Sequence, residues 1–183
     1  AREWAEQFGK DPRQVEVVLR EARRIVRMTN GLIIAETRHG FVCANAAVDA
    51  SNVSAPDQVS LLPLDPDASA ERIRRGLAER AGVEIAVIIT DSFGRPWRKG
   101  IVNVAVGVAG MEPLLDYRGQ YDEQGYELRA TVIAVADEIA SAAELVMGKL
   151  ARRPVAIVRG YDYQPGDGNA RALVMEPERD LFR

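Results

Sequence analysis

The chain is poor in the residues that most often announce chemistry: among 183 residues there is one cysteine and one histidine. Cys43 alone cannot close an intramolecular disulfide, and a cysteine-built zinc site is excluded with it. A lone thiol suits a reducing compartment, so a cytoplasmic location is expected. No apolar run approaches a membrane span, and no signal peptide is visible. A formal charge of −3 and a pI near 5.4 offer no net attraction to a polyanion, which argues against nucleic-acid binding as the main activity. The phosphate-loop and GxGxxG patterns are missing, and no nucleophilic triad can be assembled. No repeat, low-complexity tract or Ser/Gly linker divides the chain.

What is present is ordinary globular material. Hydrophobic residues make up 47% and charged residues 28%, against disorder and enough to bury a core in one domain. The chain opens Ala1-Arg2-Glu3-Trp4, without Met and helical in character, which reads as a processed or truncated terminus.

Asp11-Pro12 is an N-cap followed by proline at the first helical position, and Val15, Val18, Leu19, Ala22 and Val26 predict a helix to about residue 27, stopped by Asn30-Gly31. Strands are predicted at 31–36 and 40–44 around Arg38-His39, then an ordered loop over 45–60. A second helix runs from about Asp67 to Gly82. The apolar run 85–89 predicts a strand covered on both faces, discharging into a loop that begins Thr90-Asp91-Ser92. In the strand at 101–109, valines alternate with Asn103, Ala105, Gly107 and Ala109, a small-residue face that another element or a second subunit could approach closely. Residues 110–129 read as a long loop or irregular hairpin. A helix over about 130–147 follows, with Val132, Ala136, Ile139, Ala143 and Val146 as its core stripe. Pro154 to Val158 predicts a final buried strand, and 160–183 a loop and tail that wrap back. Without a regular βαβ rhythm, the pattern predicts an α+β fold of mixed sheets with packed helices.

Two acidic segments are candidates for chemistry. The stretch Asn45 to Asn52, with Asp49 and Ser51, is either an oxygen-rich loop suited to a hard cation such as Mg²⁺ or a turn whose side chains bond their own backbone. Asp91-Ser92, after an apolar strand, reads either as a ligand site or as a cap for the following loop. A metal site shared by the two loops is one possibility. Arg95, Trp97, Arg98 and Lys99 suit an anionic substrate or a solvated loop, and Asp116-Tyr117-Arg118-Gly119 with Asp122 a substrate lid or plain surface. Asp137, Ser141 and Glu144 lie opposite the apolar stripe of their helix and are expected to face solvent. His39 reads as structural and Cys43 as a small buried hydrophobe.

Taken together, Glu36 to Asn52, Thr90 to Arg98, Asp116-Tyr117-Arg118-Gly119, Ala136-Asp137-Glu138, Leu145 to Lys149 and the tail Asp180-Leu181-Phe182-Arg183 resemble the coenzyme F420-0:γ-glutamyl ligase family, in order across essentially the whole chain. The resemblance implies one ligase domain over 1–183 with that family's fold, as an intertwined homodimer, lacking a segment that family members carry upstream. It implies a GTP-dependent ligase that activates a carboxylate of the deazaflavin substrate as an acyl phosphate, which the amine of L-glutamate displaces. Mg²⁺ or Mn²⁺ would bridge the nucleotide phosphates, and K⁺ would assist. By motif, Asp49 and Asp91 would be metal ligands and Ser92 another through its hydroxyl, where relatives often carry Thr. Asn52 would contact the nucleotide, and Met147, Gly148 and Lys149 would lie beside it. Arg95 and Arg98 are candidates, on their own chemistry, for holding the substrate's phosphodiester or carboxylates. The alternatives are a non-catalytic module that binds metal and deazaflavin, or an unrelated metal-dependent phosphohydrolase built on Asp49 and Asp91.

Overall fold

The computed structural model describes residues 1–181; Phe182 and Arg183 of the family-like tail lie outside the described residues. The chain divides into two compact units, one comprising 1–64 and 93–101, the other 65–92 and the remainder from 102. Among the described residues the sheets are small and the α-helices four, the α+β mixture the pattern predicted. Among the described residues, no helix is long and apolar enough to cross a membrane.

In the first unit, α1 (Arg2–Gln7) and α2 (Pro12–Glu21) precede an antiparallel sheet of β1 (Ala22–Thr29), β2 (Leu32–Thr37) and β3 (Val42–Ala44). The Asp11 carboxylate accepts the Arg13 N–H at 2.8 Å, and Pro12 occupies the first turn, where its missing N–H is no loss. Val15 and Val18, one helical turn apart, then pack against Ile33 and Ala35 of β2, Ala5 of α1 and Ala46. Buried Cys43 on β3 is the small hydrophobe expected. The ring of His39 donates from Nε2 to the Pro63 carbonyl at 3.0 Å, a structural tether, also as expected.

The predicted extension of α2 to residue 27 is wrong. The helix ends at Glu21, and residues 22–29 form β1 instead. Asn30-Gly31 is not a helix stop but the turn of the β1–β2 hairpin, with φ of 49° and 74°, left-handed at both central positions as such turns require. Pairing also serves Glu36, whose nearly inaccessible carboxylate is costly to bury unless matched. Arg23 and Arg24 of β1 reach it at 3.3 and 3.0 Å, and two register shifts in β1 accompany this arrangement.

In the second unit, α3 (Pro66–Ala81) is capped by Asp65, whose carboxylate accepts the Ala68 N–H at 2.9 Å, and it ends at left-handed Gly82, close to the predicted bounds. Strands β4 (Val87–Arg95) and β5 (Arg98–Ala109) pair as a hairpin, whose tip residues fall within the first unit. Two expectations fail here. The apolar run 85–89 is half-exposed rather than covered on both faces, and the strand continues through Asp91-Ser92 instead of ending before them. Paired across a hairpin, the polar residues keep their backbone bonds.

The small-residue face of β5 does receive other elements. A Cβ on Gly107 would sit 2.4 Å from the Pro66 carbonyl oxygen at the start of α3, so only glycine permits that approach. Residues 110–133 make the expected irregular hairpin, with β6 (Leu115–Asp116) paired to β7 (Val132–Ile133) and a bridge between Tyr121 and Glu127. The last helix, α4 (Val135–Met147), therefore starts five residues later than predicted, because Val132-Ile133 are spent on a strand.

Its orientation overturns the predicted stripe in part: Ala136 is buried as expected, but the polar face does not turn to solvent. Asp137 accepts the Ala105 N–H of β5 at 2.8 Å, Ser141 donates to the Asn103 carbonyl at 2.8 Å, and Glu144 accepts from the Asn103 amide at 3.1 Å. The polar stripe thus turns inward, where strand backbone and Asn103 need partners, while Val146 is largely exposed. Pro154 to Val158 is not a buried strand: no pairing is formed there, and Val155 and Ile157 are more than three-quarters exposed. The tail wraps back as expected, tied at Asp67, whose carboxylate accepts from the N–H groups of both Val108 and Ala170.

Candidate functional site

Asp49 is presented by strained backbone. Asn45, Ala46 and Ala47 are left-handed in succession, with φ of 52°, 51° and 59°. Each alanine there costs about 1–2 kcal/mol, because its Cβ crowds the next carbonyl. Ala46 is held in place by burial in the core, and the cost is met by packing rather than by local preference. Beyond this turn, Asp49 exchanges backbone bonds with Ser60, and its carboxylate accepts the N–H of Ser51 at 2.8 Å and the Ser51 hydroxyl at 2.6 Å. The self-bonded turn that the sequence left open is therefore formed, and it fixes the direction of the carboxylate. Asn52 follows exposed, with φ of 54°.

Asp91 and Ser92 lie in the second unit, on β4. The Asp91 carboxylate turns along the strand to accept the Ser92 N–H at 2.8 Å. The Ser92 hydroxyl donates to the Asn103 side-chain oxygen at 2.9 Å. Asn103 is almost inaccessible, and its amide nitrogen lies 3.1 Å from Glu144 and 3.4 Å from the Thr90 hydroxyl. Burial pushes the Asp137 carboxyl above its usual range, and the Ala105 N–H partly offsets this. Asn103 and Glu144 were not marked as functional by sequence reasoning. The available signal was a lone amide on a face otherwise made of Ala and Gly, since a buried amide must be bonded on both ends.

The remaining candidates fall on other turns. Arg95 and Arg98 flank the two-residue turn of the β4–β5 hairpin; Arg95 donates to the Lys99 carbonyl at 2.9 Å, and Arg98 is exposed. Between them, exposed Trp97 is held at φ 56°. Asp116 and Arg118 engage each other, and the guanidinium holds the carboxyl down to about 2. At the end of α4, Gly148 adopts φ 58° and ψ 146°, a combination essentially restricted to glycine, with Met147 before it and exposed Lys149 after.

A cleft in the first unit, lined by Trp4, Lys10, Gln14, Asn45 and Ala50 among others, measures about 80 Å³. That is well short of the roughly 300 Å³ at which small-molecule sites begin. Among the described residues, no three His, Cys, Asp or Glu side chains gather into a ready metal cage. Mg²⁺ does not need one: it takes one or two carboxylates and fills its shell with water and phosphate oxygens. Asp49 in the first unit, and Asp91 with Ser92 in the second, each offer hard oxygens of the kind such an ion takes.

The family model described as F420-0:Gamma-glutamyl ligase matches residues 1–160, and the chain belongs to that family. It is 50% identical to the coenzyme F420:L-glutamate ligase of Methanopyrus kandleri, over 100% of this chain and 74% of that protein. The proteins of the same name from Methanothermobacter thermautotrophicus and Methanocaldococcus jannaschii are 50% and 47% identical, over 98% and 99% of this chain and 72% of each relative.

Proposed function

We propose that the chain catalyses GTP-dependent addition of L-glutamate to the deazaflavin coenzyme F420 precursor. The observation that carries the ligation is about 50% identity across nearly the whole chain to proteins named coenzyme F420:L-glutamate ligase. In the reaction, a substrate carboxylate oxygen attacks the γ-phosphorus of GTP; GDP departs and an acyl phosphate remains. The glutamate amine then attacks the acyl carbon, loses a proton, and expels phosphate as the amide forms. Such chemistry requires positioned charge more than a protein nucleophile, in keeping with a sequence in which no nucleophilic triad can be assembled.

Mg²⁺ or Mn²⁺, when bound, would neutralise the nucleotide phosphates, with K⁺ assisting. Asp49, Asp91 and the Ser92 hydroxyl would hold the divalent ion. Asn52 would contact the nucleotide, and the turn of Met147, Gly148 and Lys149 would lie beside it. Arg95 and Arg98 would hold the anionic groups of the deazaflavin substrate. A homodimer belongs to the same reading: Leu145, Val146, Leu150, Val155 and Ile157 are apolar and exposed, and a second copy would cover them.

The test is an assay of the full chain with the deazaflavin precursor, L-glutamate, GTP and Mn²⁺ or Mg²⁺, followed by mass. A GTP-dependent gain of one glutamate residue is expected, and ATP in place of GTP should give less. Deazaflavin and metal binding without turnover would point to the non-catalytic module. Phosphate release needing neither deazaflavin nor glutamate would point to the hydrolase.

A further inference from the structure

We propose that Asn103 is the positioning residue for the Ser92 hydroxyl, turning its proton away so that the oxygen offers lone pairs to the cation; this rests on the reading of Ser92 as a metal ligand. A hydroxyl can donate or accept, and only its lone pairs bind a cation. Which way it faces is decided by its neighbours.

The decision begins at Glu144 on α4. A carboxylate accepts hydrogen bonds, so the end of the Asn103 side chain 3.1 Å from Glu144 must be its NH₂ group. The same nitrogen lies 3.4 Å from the Thr90 hydroxyl. The other end of the amide is then an oxygen, which only accepts, and it sits 2.9 Å from Ser92 Oγ. Ser92 must therefore donate. The Asn103 backbone is pinned as well, since Ser141 donates to its carbonyl at 2.8 Å. With the amide 95% inaccessible, water does not compete for either end. Helix α4 thus sets the polarity of a hydroxyl on β4 through one amide on β5. An inward polar stripe on α4 and a lone Asn on a small-residue face acquire one common purpose.

The test measures Mn²⁺ affinity of the full chain, without turnover, by the paramagnetic resonance signal of the free ion. Ser92→Ala and Asn103→Ala should each weaken binding about tenfold, the scale of lost outer-shell support. The double variant should bind within about twofold of Ser92→Ala alone, because Asn103 acts only through that hydroxyl. Equal weakening by Asn103→Ala with Ser92 present or absent would mean a merely structural role. Unchanged affinity in folded Asn103→Ala would overturn the proposal outright. If circular dichroism shows that variant unfolded, Glu144→Met decides: it removes the acceptor that fixes which end of the Asn103 amide faces Ser92, so binding should weaken, and unchanged binding overturns the proposal. Ser92→Ala without effect would instead sink the ligand reading itself.

Discussion

The two units bury a helix against a strand by opposite means. In the first, α2 sets Val15 and Val18 on Ile33 and Ala35, and the contact is wholly apolar. In the second, α4 brings Asp137, Ser141 and Glu144 to β5, and bonds to backbone and amide stand where packing would otherwise be. The first arrangement gains mainly from area removed from water, which is indifferent to small rotations. The second gains little net free energy per bond but permits one orientation only, since each buried polar group misplaced would cost its full desolvation. The apolar contact makes a stable scaffold; the polar one makes a precise address.

The largest effect is expected at Gly107→Ala, on the strand that α4 addresses but where α3 approaches it. The new methyl would strike the Pro66 backbone carbonyl, with an expected loss of about 3 kcal/mol in urea unfolding. Val18→Ala tests the first, removing two buried carbons and leaving a cavity, for about 2 kcal/mol. Asp137→Ala strands the Ala105 N–H and should cost about 1.5 kcal/mol, whereas Asp137→Asn, which keeps an acceptor, should cost about 0.5 kcal/mol or less.

Acid titration sharpens the contrast further. The Asp137 carboxyl is raised above 3.8, chiefly by burial, so the folded state holds its proton longer than the unfolded chain. Its contribution to stability is present below 3.8 and declines as pH rises through the folded value, and Asp137→Asn should flatten that slope. Glu71 behaves oppositely and serves as an internal control. Arg74 and Arg75 lower its carboxyl from 4.5 to about 2, so its contribution is present above 4.5 and lost as pH falls through about 2. Glu71→Gln should remove this acid-side slope, the smallest of these effects because the pair is near solvent.

Local signals were read well and partnered ones poorly. The caps at Asp11 and Gly82, the 110–129 hairpin and the close approach at Gly107 follow from residue chemistry within a few positions, and all were legible. The end of α2 was misread because Ala22 and Val26 satisfy a helical period as well as a strand, and the hairpin meaning of Asn30-Gly31 depends on which elements flank it. The inward face of α4 was illegible for a stronger reason: a polar stripe faces solvent unless something inside requires it, and that requirement sits on Asn103, some forty residues away. For the site, Asp49, Asp91 and Ser92 could be picked as candidates from type and context. The Asn103–Glu144 support for Ser92 is tertiary and could not.

The left-handed run at Asn45, Ala46 and Ala47 carries a consequence for anyone who would engineer this protein. Glycine at position 47 would relieve about half of the local penalty while leaving the buried methyl of Ala46 untouched, so selection for heat resistance should find Ala47→Gly early. The same change would loosen the segment that aims Asp49. Thermal tolerance and the alignment of that carboxylate would then move in opposite directions from a single codon.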